Sequence, residues 1–216
     1  SRFIMADVLP DPSGGTIKYF ESYLSELKDL LDALDRDTLK KIVDTIYGAW
    51  QHNKRLIIFG NGGSGSTSSH LVCDFQKNIY LDGAKPFEVV ALTDSPALIT
   101  AWGNDTNFEN VFAGQLATWV RPKDVVLAIS GSGNSKNVLE GVKLAKEAGA
   151  ITIGLCGYNG GQLAELVEIP LIAHRNNMQQ VEDVHMIVGH MIFSALRDRI
   201  TGYLRDENPA GWFKDI

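Results

Sequence analysis

Cysteine, long hydrophobic runs and basic clusters are all scarce in this chain of 216 residues. Its two cysteines, Cys73 and Cys156, are too few for a disulfide framework or a Cys-rich zinc knuckle. No apolar run approaches the roughly 20 residues that a membrane-spanning helix needs. The net charge is −6 and no long basic block is present, which disfavours a nucleic-acid-binding groove. Together these absences predict a cytoplasmic protein that binds neither nucleic acid nor membrane.

What the chain does contain is an alternation of short apolar runs with helix-like segments. Its apolar fraction of 44% is enough to bury one core. The runs typical of strands are 56–59, 89–92, 125–129, 151–155 and 169–173. Continuous apolar strands separated by helices predict a parallel sheet that is covered on both faces. We therefore expect a doubly wound, five-stranded α/β fold, with a ligand at the carboxyl ends of the strands.

Two amphipathic segments precede this α/β region. Apolar residues recur at three- and four-residue steps over 16–34 and again over 37–52, which predicts a helix pair that packs on the core or on another subunit. Residues 1–15 are expected to form a flexible arm. Residues 16–216 are expected to form a single domain that includes the helix pair and a long C-terminal helix.

The segment 60-GNGGSG-65 follows the first strand and matches the G-x-G-x-x-G pattern of dinucleotide-binding turns. Such a turn also needs an acidic residue about 20 positions further on, which holds a ribose. The acid available at the end of the next strand, Asp94, lies roughly 30 positions after Gly65. The helix also begins with serine and threonine where a dinucleotide fold packs small apolar residues, so NAD or FAD is disfavoured.

A second loop, 130-SGSGNSKN-137, again places glycine and serine between a strand and the start of a helix. Backbone amides and the positive end of the helix attract an anion, and serine hydroxyls add donors without charge. The Gly-Lys-Ser/Thr of a nucleoside triphosphate loop is absent from the sequence. A serine-capped turn is the alternative reading. Two such loops at neighbouring strand ends nevertheless favour a site for one phosphate monoester on a small ligand.

Three residues with catalytic or metal-binding side chains accompany these loops. His70 and Asp74 are four positions apart, which places both on one face of the helix after the first loop. His190 lies on the last helix, and two histidines with carboxylates can bind zinc or a similar ion. Alternatively, Asp74 as a base and His190 as its acid–base partner suffice to transfer a proton. At 100° per residue, Asp183 lies closer than Glu182 to His190 around the helix, so spacing alone favours Asp183.

Four motifs in order carry a resemblance to a known family: GNGGS with the following His70 and Asp74, GND at 103–105, ISGSGNS at 129–135, and VEDVHMIVGH at 181–190. They resemble the SIS (sugar isomerase) phosphosugar-binding family, and among its members the phosphoheptose isomerases. The resemblance covers nearly the whole chain and implies a flavodoxin-like SIS fold and a homotetramer. It also implies a ketose–aldose isomerase that converts sedoheptulose 7-phosphate to a heptose 7-phosphate by proton transfer between C1 and C2. A non-catalytic phosphosugar-binding or adaptor protein, or an isomerase of another sugar phosphate, remains the alternative.

The same resemblance implies roles for individual residues. Asp74 and His190 would be catalytic, and one Zn²⁺ or similar divalent metal would be held by His70, Asp74, Glu182 and His190. Substrate contacts would fall on Asn61, Gly62, Gly63, Ser64, Asp74, Asn104, Asp105, Ser130, Gly131, Ser132, Ser135 and Glu182. Position 74 is Asp where these isomerases usually have Glu, and position 182 is Glu where they usually have Gln. Both departures bear on which sugar phosphate is used. The family pattern favours Glu182 over Asp183.

Overall fold

The structure is a computed structural model that describes residues 14–207, with side chains described as far as residue 202. Residues 1–13 of the expected N-terminal arm, and residues 208–216, lie outside the described residues, so the domain limits stay a prediction. Within the described range, no helix is both long and apolar enough to cross a membrane.

Five parallel strands form one sheet in the order β2-β1-β3-β4-β5. The strands are β1 (Leu56–Gly60), β2 (Val89–Ala91), β3 (Val125–Ser130), β4 (Ile151–Gly157) and β5 (Ile169–Ala173). This order is that of the flavodoxin-like doubly wound fold, so the predicted fold class is confirmed. The direction of winding reverses between β1 and β3, and the carboxyl ends of these two strands therefore flank a crevice.

Helices cover both faces of the sheet. They are α1 (Gly15–Asp32), α2 (Arg36–Gln51), α3 (Gly62–Cys73), α4 (Ile79–Leu81), α5 (Pro96–Asp105), α6 (Ala113–Trp119), α7 (Lys136–Glu147), α8 (Gly161–Leu166) and α9 (Met178–Glu207). Because side chains alternate along a strand, Leu56 and Ile58 of β1 pack in the core under α2 and α9. Ile57 and Phe59 pack in the core on the opposite face, under α6 and α7. Both faces of the central strands are buried, which explains their unbroken apolar runs.

The N-terminal helix pair forms as predicted, but its two members are buried to different extents. Helix α2 is capped by Asp35, whose side chain accepts a hydrogen bond from the backbone N–H of Asp37. It buries a full apolar face against the core, including Ile42 and Ile46. The first half of α1 instead leaves its apolar side chains 58–65% exposed, and these are Ile17, Tyr19, Phe20 and Leu24.

The helix that follows the first loop does not continue as a regular α-helix to residue 81. Between α3 and α4 lies a five-residue π-helical segment, Asp74–Asn78. A π segment widens the helix locally and occurs often at functional sites. Here it begins at Asp74, one of the candidate catalytic residues, so the side chains before and after it no longer share ideal α-helical spacing.

Candidate active site at the carboxyl edge of the sheet

The first loop joins β1 to α3 in a turn that only small residues allow. Gly62 has a φ of 52°, a left-handed conformation that costs glycine little. A Cβ on Gly60 would lie 2.6 Å from the backbone oxygen of Ile129 in β3, so a side chain at position 60 would push the two strand ends apart. The sequence thus brings the ends of β1 and β3 close together at the reversal of winding.

The second loop, between β3 and α7, is held rigidly by its neighbours. The N–H of Gly133 donates to the backbone oxygen of Ser130 at 3.0 Å, and the N–H of Gly157 donates to the oxygen of Gly131 at 2.9 Å. Gly133 has a φ of 66°, and a Cβ there would lie 2.0 Å from the oxygen of Gly160. These contacts tie the backbone of the loop to β4 and to the turn that follows it.

This loop leaves hydrogen-bond donors free at the start of α7. Ser135 is the N-cap residue of α7, yet its side chain makes no capping hydrogen bond. Its Oγ accepts from Oγ of Ser130 at 3.3 Å, and Oγ of Ser132 accepts from the N–H of Asn134 at 3.2 Å. Among residues 14–207, the backbone amides of Lys136 and Asn137, the first two of α7, have no acceptor, whereas that of Val138 donates to Oδ1 of Asn137. Free amides, a hydroxyl and the helix dipole together suit an anion such as a phosphate group.

His70, Asp74 and His190 converge, although they come from three different elements. The Nε2 atoms of the two histidines are 2.8 Å apart. Oδ2 of Asp74 lies 3.4 Å from Nε2 of His70 and 3.7 Å from Nε2 of His190. Close approach of α9 to α3 makes this possible, because a Cβ on Gly189 would lie only 2.6 Å from the side chain of Leu71. Because Gly189, next to His190, has no side chain, α9 can pack directly on Leu71, next to His70, and the two imidazoles come into contact.

The geometry of this cluster fits a divalent metal. Its three ligand atoms all lie within 4.8 Å of one another. A tetrahedral zinc ion with bonds of about 2.0–2.1 Å separates its ligand atoms by about 3.3 Å, in the middle of the observed spacings. The side chains of His70, Asp74 and His190 are 47%, 20% and 49% exposed, so a small molecule can reach them. Three protein ligands with an accessible further position are typical of catalytic rather than structural zinc.

Glu182 and Asp183 point to different parts of the structure. A Cβ on Gly63 would lie 2.6 Å from Oε1 of Glu182, so this carboxylate packs on the first loop at the start of α3. A negative charge is favourable there because of the helix dipole. Glu182 is not part of the cluster of three ligand atoms. Asp183 instead accepts a hydrogen bond from Oη of Tyr23 at 2.5 Å, and this bond raises the pKa of Tyr23 to about 12.

Other residues that the sequence analysis assigned to the substrate have protein partners in the structure. The side-chain amide of Asn61 pairs with that of Asn137, a residue whose role the sequence analysis did not predict. Asn104 and Asp105 are exposed at the end of α5, where they hydrogen-bond to each other. Ser64 is buried in the first turn of α3. Asp94, the acid that follows β2, accepts a hydrogen bond from Ser69 at 2.5 Å.

A third histidine, His185, is buried in the core. Nε2 of His185 is 2.9 Å from the backbone oxygen of Cys156, and it must carry the proton because a carbonyl only accepts. Burial lowers the pKa of His185 to about 4. The imidazole is therefore neutral near pH 7 and ties α9 to the end of β4.

The fold and the two loops define a doubly wound α/β domain with an anion-binding edge, and comparison with known proteins gives its family. The SIS domain family matches residues 18–157, and the chain belongs to this family. A protein named phosphoheptose isomerase from Geotalea daltonii is 33% identical over 88% of this chain and 100% of its own length. This identity places the chain among the phosphoheptose isomerases of the family, so the resemblance stated from the four motifs is confirmed.

Solved structures agree with this assignment. A phosphoheptose isomerase from Francisella tularensis superimposes with a TM-score of 0.77 at 26% identity, over 88% of this chain and 99% of that one. A phosphoheptose isomerase from Neisseria gonorrhoeae gives a TM-score of 0.78 at 24% identity, over 85% and 97% of the two chains, and shows the same fold.

Proposed function

We propose that the protein is a ketose–aldose isomerase that converts sedoheptulose 7-phosphate to a heptose 7-phosphate. The observation that carries the proposal is the convergence of His190 of α9 with His70 and Asp74, which lie at the end of the helix that starts at the first Gly/Ser loop. The name of the Geotalea daltonii relative supports the choice of a seven-carbon sugar.

The phosphate group binds at the second loop in this proposal. The hydroxyls of Ser132 and Ser135 and the free amides of Lys136 and Asn137 supply its donors, while the buried Ser130 donates to Ser135 and orients it. The helix dipole supplies positive potential. No Lys or Arg is required, because several neutral donors aimed at one point satisfy a phosphate monoester. The rigid loop holds these donors in place in advance, which lowers the entropic cost of binding.

The distance between the two parts of the site favours an extended substrate. The amide pair of Asn61 and Asn137 brings the starts of α3 and α7 together. His70 lies eight positions after Gly62, which is about 12 Å along α3. A sugar phosphate whose ester group sits at α7 and whose reacting carbons reach the cluster must therefore be long and in its open-chain form.

Asp74 and His190 transfer the protons in this mechanism. The carboxylate of Asp74 removes a proton from C1 of the open-chain ketose, and the C–H electron pair forms the C1–C2 double bond of an enediol as O2 gains a proton. The imidazole of His190 carries protons between O1 and O2. Asp74 then returns its proton to C2 while the proton on O1 leaves, which yields the C1 aldehyde.

The same side chains also fit a divalent ion, provided that the imidazole nitrogen or carboxylate oxygen that binds the ion is not the atom that transfers a proton. His70, Asp74 and His190 would hold it, and the resemblance adds Glu182, whose carboxylate lies at Gly63 in this structure. Two imidazoles and carboxylate oxygen form a donor set that suits zinc. When bound, such an ion would polarise the oxygens at C1 and C2 of the sugar.

A second copy of this chain is the proposed partner of the exposed apolar face, in a homotetramer of the kind that the family resemblance implies. Ile17, Phe20 and Leu24 form an exposed stripe on α1. Met191, which directly follows His190, lines an apolar groove between α2 and α9 together with Leu39. A copy seated in this groove would cover one side of the half-exposed histidines and exclude water from the reaction. The cytoplasm, where exposed thiols such as Cys73 stay reduced, is the proposed location.

Turnover of two sugars that differ only in the phosphate group tests the proposal. Purified full-length protein, loaded with zinc, should convert sedoheptulose 7-phosphate and leave sedoheptulose unchanged, because the loop donors bind only the ester. If sedoheptulose 7-phosphate raises the melting temperature without being converted, the protein is a non-catalytic phosphosugar-binding protein. If neither binding nor conversion is seen with this or related sugar phosphates, the proposal is wrong.

A further inference from the structure

We infer that Asn137 is a positioning residue, which acts through Asn61 to hold the phosphate end and the reacting end of the site at a fixed separation. The inference rests on the proposed function, since it concerns how that site is assembled. It assigns a role to Asn137 and changes the role of Asn61 from a substrate contact to a structural link.

The two side chains form a closed pair of hydrogen bonds. Nδ2 of Asn61 donates to Oδ1 of Asn137 at 2.8 Å, and Nδ2 of Asn137 donates to Oδ1 of Asn61 at 2.8 Å. Two antiparallel bonds fix both the distance and the mutual orientation of the amides, which one bond would not. Asn137 is 3% exposed, and its Oδ1 also accepts from the N–H of Val138 at 2.9 Å. The pair is therefore anchored in the protein on the side of α7.

The pair lies where it can set the width of the crevice. Asn61 is the N-cap residue of α3 and Asn137 is the second residue of α7, so the pair joins the starts of these two helices. These helices follow β1 and β3, between which the winding of the sheet reverses. Helix α7 begins at the phosphate donors, and α3 leads to His70 and Asp74.

The side chain of Asn61 forms this pair and does not cap its own helix. Asparagine is among the best N-cap residues because its side-chain oxygen accepts from an early amide of its own helix. Asn61 occupies the N-cap position with extended backbone angles, yet its side chain makes no capping bond. Its carbonyl oxygen and one of its two amide N–H groups are given to Asn137, so the orientation of the side chain is set by the pair. The first amides of α3 are in consequence left for other groups, such as the carboxylate of Glu182.

A double-mutant cycle distinguishes a positioning pair from a direct substrate contact. Asn61→Ala and Asn137→Ala should each lower kcat about tenfold, because a misplaced reacting end costs rate even when binding persists. The double variant should be no slower than either single variant, since the pair is already broken in both. The inhibition constant of inorganic phosphate should stay within about twofold of wild type in all three, because the serines and amides at α7 are retained.

Each alternative result overturns the inference. Full activity in Asn137→Ala with loss in Asn61→Ala would mean that Asn61 touches the sugar directly. Additive losses would mean independent roles, and weakened phosphate inhibition would mean a general collapse of the loop. If Asn137→Ala does not fold, Asn137→Leu keeps the side-chain volume and takes its place in the cycle. Absence of turnover in the wild type would overturn the proposed function and the inference together. The contrary results with the Asn61 and Asn137 variants would overturn the inference alone and leave the proposed function standing.

Discussion

The Nε2 atoms of His70 and His190 lie 2.8 Å apart, although 120 positions of sequence separate the two residues. Such a short contact between two imidazoles requires either one shared proton or a common ion, because two lone pairs repel and two N–H groups clash. Oδ2 of Asp74 lies within 3.7 Å of both nitrogens. A metal ion would satisfy all three atoms at once.

Loss of one imidazole should remove the metal. His70→Ala should lower zinc affinity by more than about 100-fold, since even the loss of a group that only supports a ligand costs about 10–100-fold. Glu182→Gln should cost less than about tenfold, because its carboxylate lies at Gly63 and outside the cluster. Elemental analysis measures the zinc content of the two variants, and competition titration with a zinc chelator measures their zinc affinity. Equal losses in the two variants would show that Glu182 is a full ligand, and a metal-free active wild type would rule out the metal.

The close approach of α9 to α3 should depend on Gly189. Alanine normally stabilises a helix over glycine by about 1 kcal/mol. Gly189→Ala should instead lower stability and zinc affinity, because its Cβ would lie 2.6 Å from the buried side chain of Leu71. Gly202→Ala is the matched control on the same helix, since nothing lies within 4 Å of the new Cβ. Thermal unfolding and zinc titration compare them, and identical behaviour of the two variants would contradict the packing described here.

Acid should destabilise the protein through His185. Because burial lowers its pKa from 6.5 to about 4, protonation favours the unfolded chain. The stability that neutral His185 contributes is complete above pH 6.5 and is lost progressively as the pH falls towards 4. Between pH 7 and 4.5, His185→Gln should therefore lose less stability than the wild type, by at least about 3 °C in melting temperature. His52→Gln, which changes an exposed imidazole, should retain the wild-type dependence; a parallel curve for His185→Gln would refute this account.

Assembly should depend on the exposed stripe of α1. Leu24→Asp places a charge in this stripe and should convert a homotetramer to a smaller species, since burying an unpaired carboxylate is unfavourable. Ser25→Asp adds the same charge one position further on and should leave the assembly intact. Light scattering after gel filtration gives the mass of each. A monomeric wild type, or dissociation of both variants alike, would show that the stripe is not the interface.

Much of this fold could be predicted from the sequence because the central strands are buried on both faces. Leu56 to Phe59 is an unbroken apolar run for that reason, and the second Gly/Ser loop follows the similar run in β3. The orientation of Glu182 and Asp183 was harder to predict. Angular spacing favours Asp183, but the hydroxyl of Tyr23 on α1 binds that carboxylate. A partner 160 positions away in the chain leaves no trace in local periodicity.

The π-helical segment and the amide pair were missed for related reasons. The backbone widens into a π-helical segment at Asp74, and residues 74–78 carry no distinctive composition that would predict it. Asn61 matches a loop pattern that implies ligand contact, whereas its actual partner, Asn137, lies 76 positions away. Sequence patterns predict which residues lie at the site, and tertiary packing determines which of them remain free for a ligand.

The rate at which sedoheptulose 7-phosphate is converted by the wild type and by Asp74→Asn tests the central claim most directly. Proton NMR follows the aldehyde product in both, with zinc content measured alongside. The wild type should form the heptose 7-phosphate, and Asp74→Asn should be slower by about 10²–10⁴-fold, because the amide cannot accept the C1 proton. Asp44→Asn, which alters a carboxylate paired with Lys40 and Arg199 on the surface, should match the wild type. An Asp74→Asn rate equal to that of the wild type, or no conversion by any of the three proteins, would contradict the account.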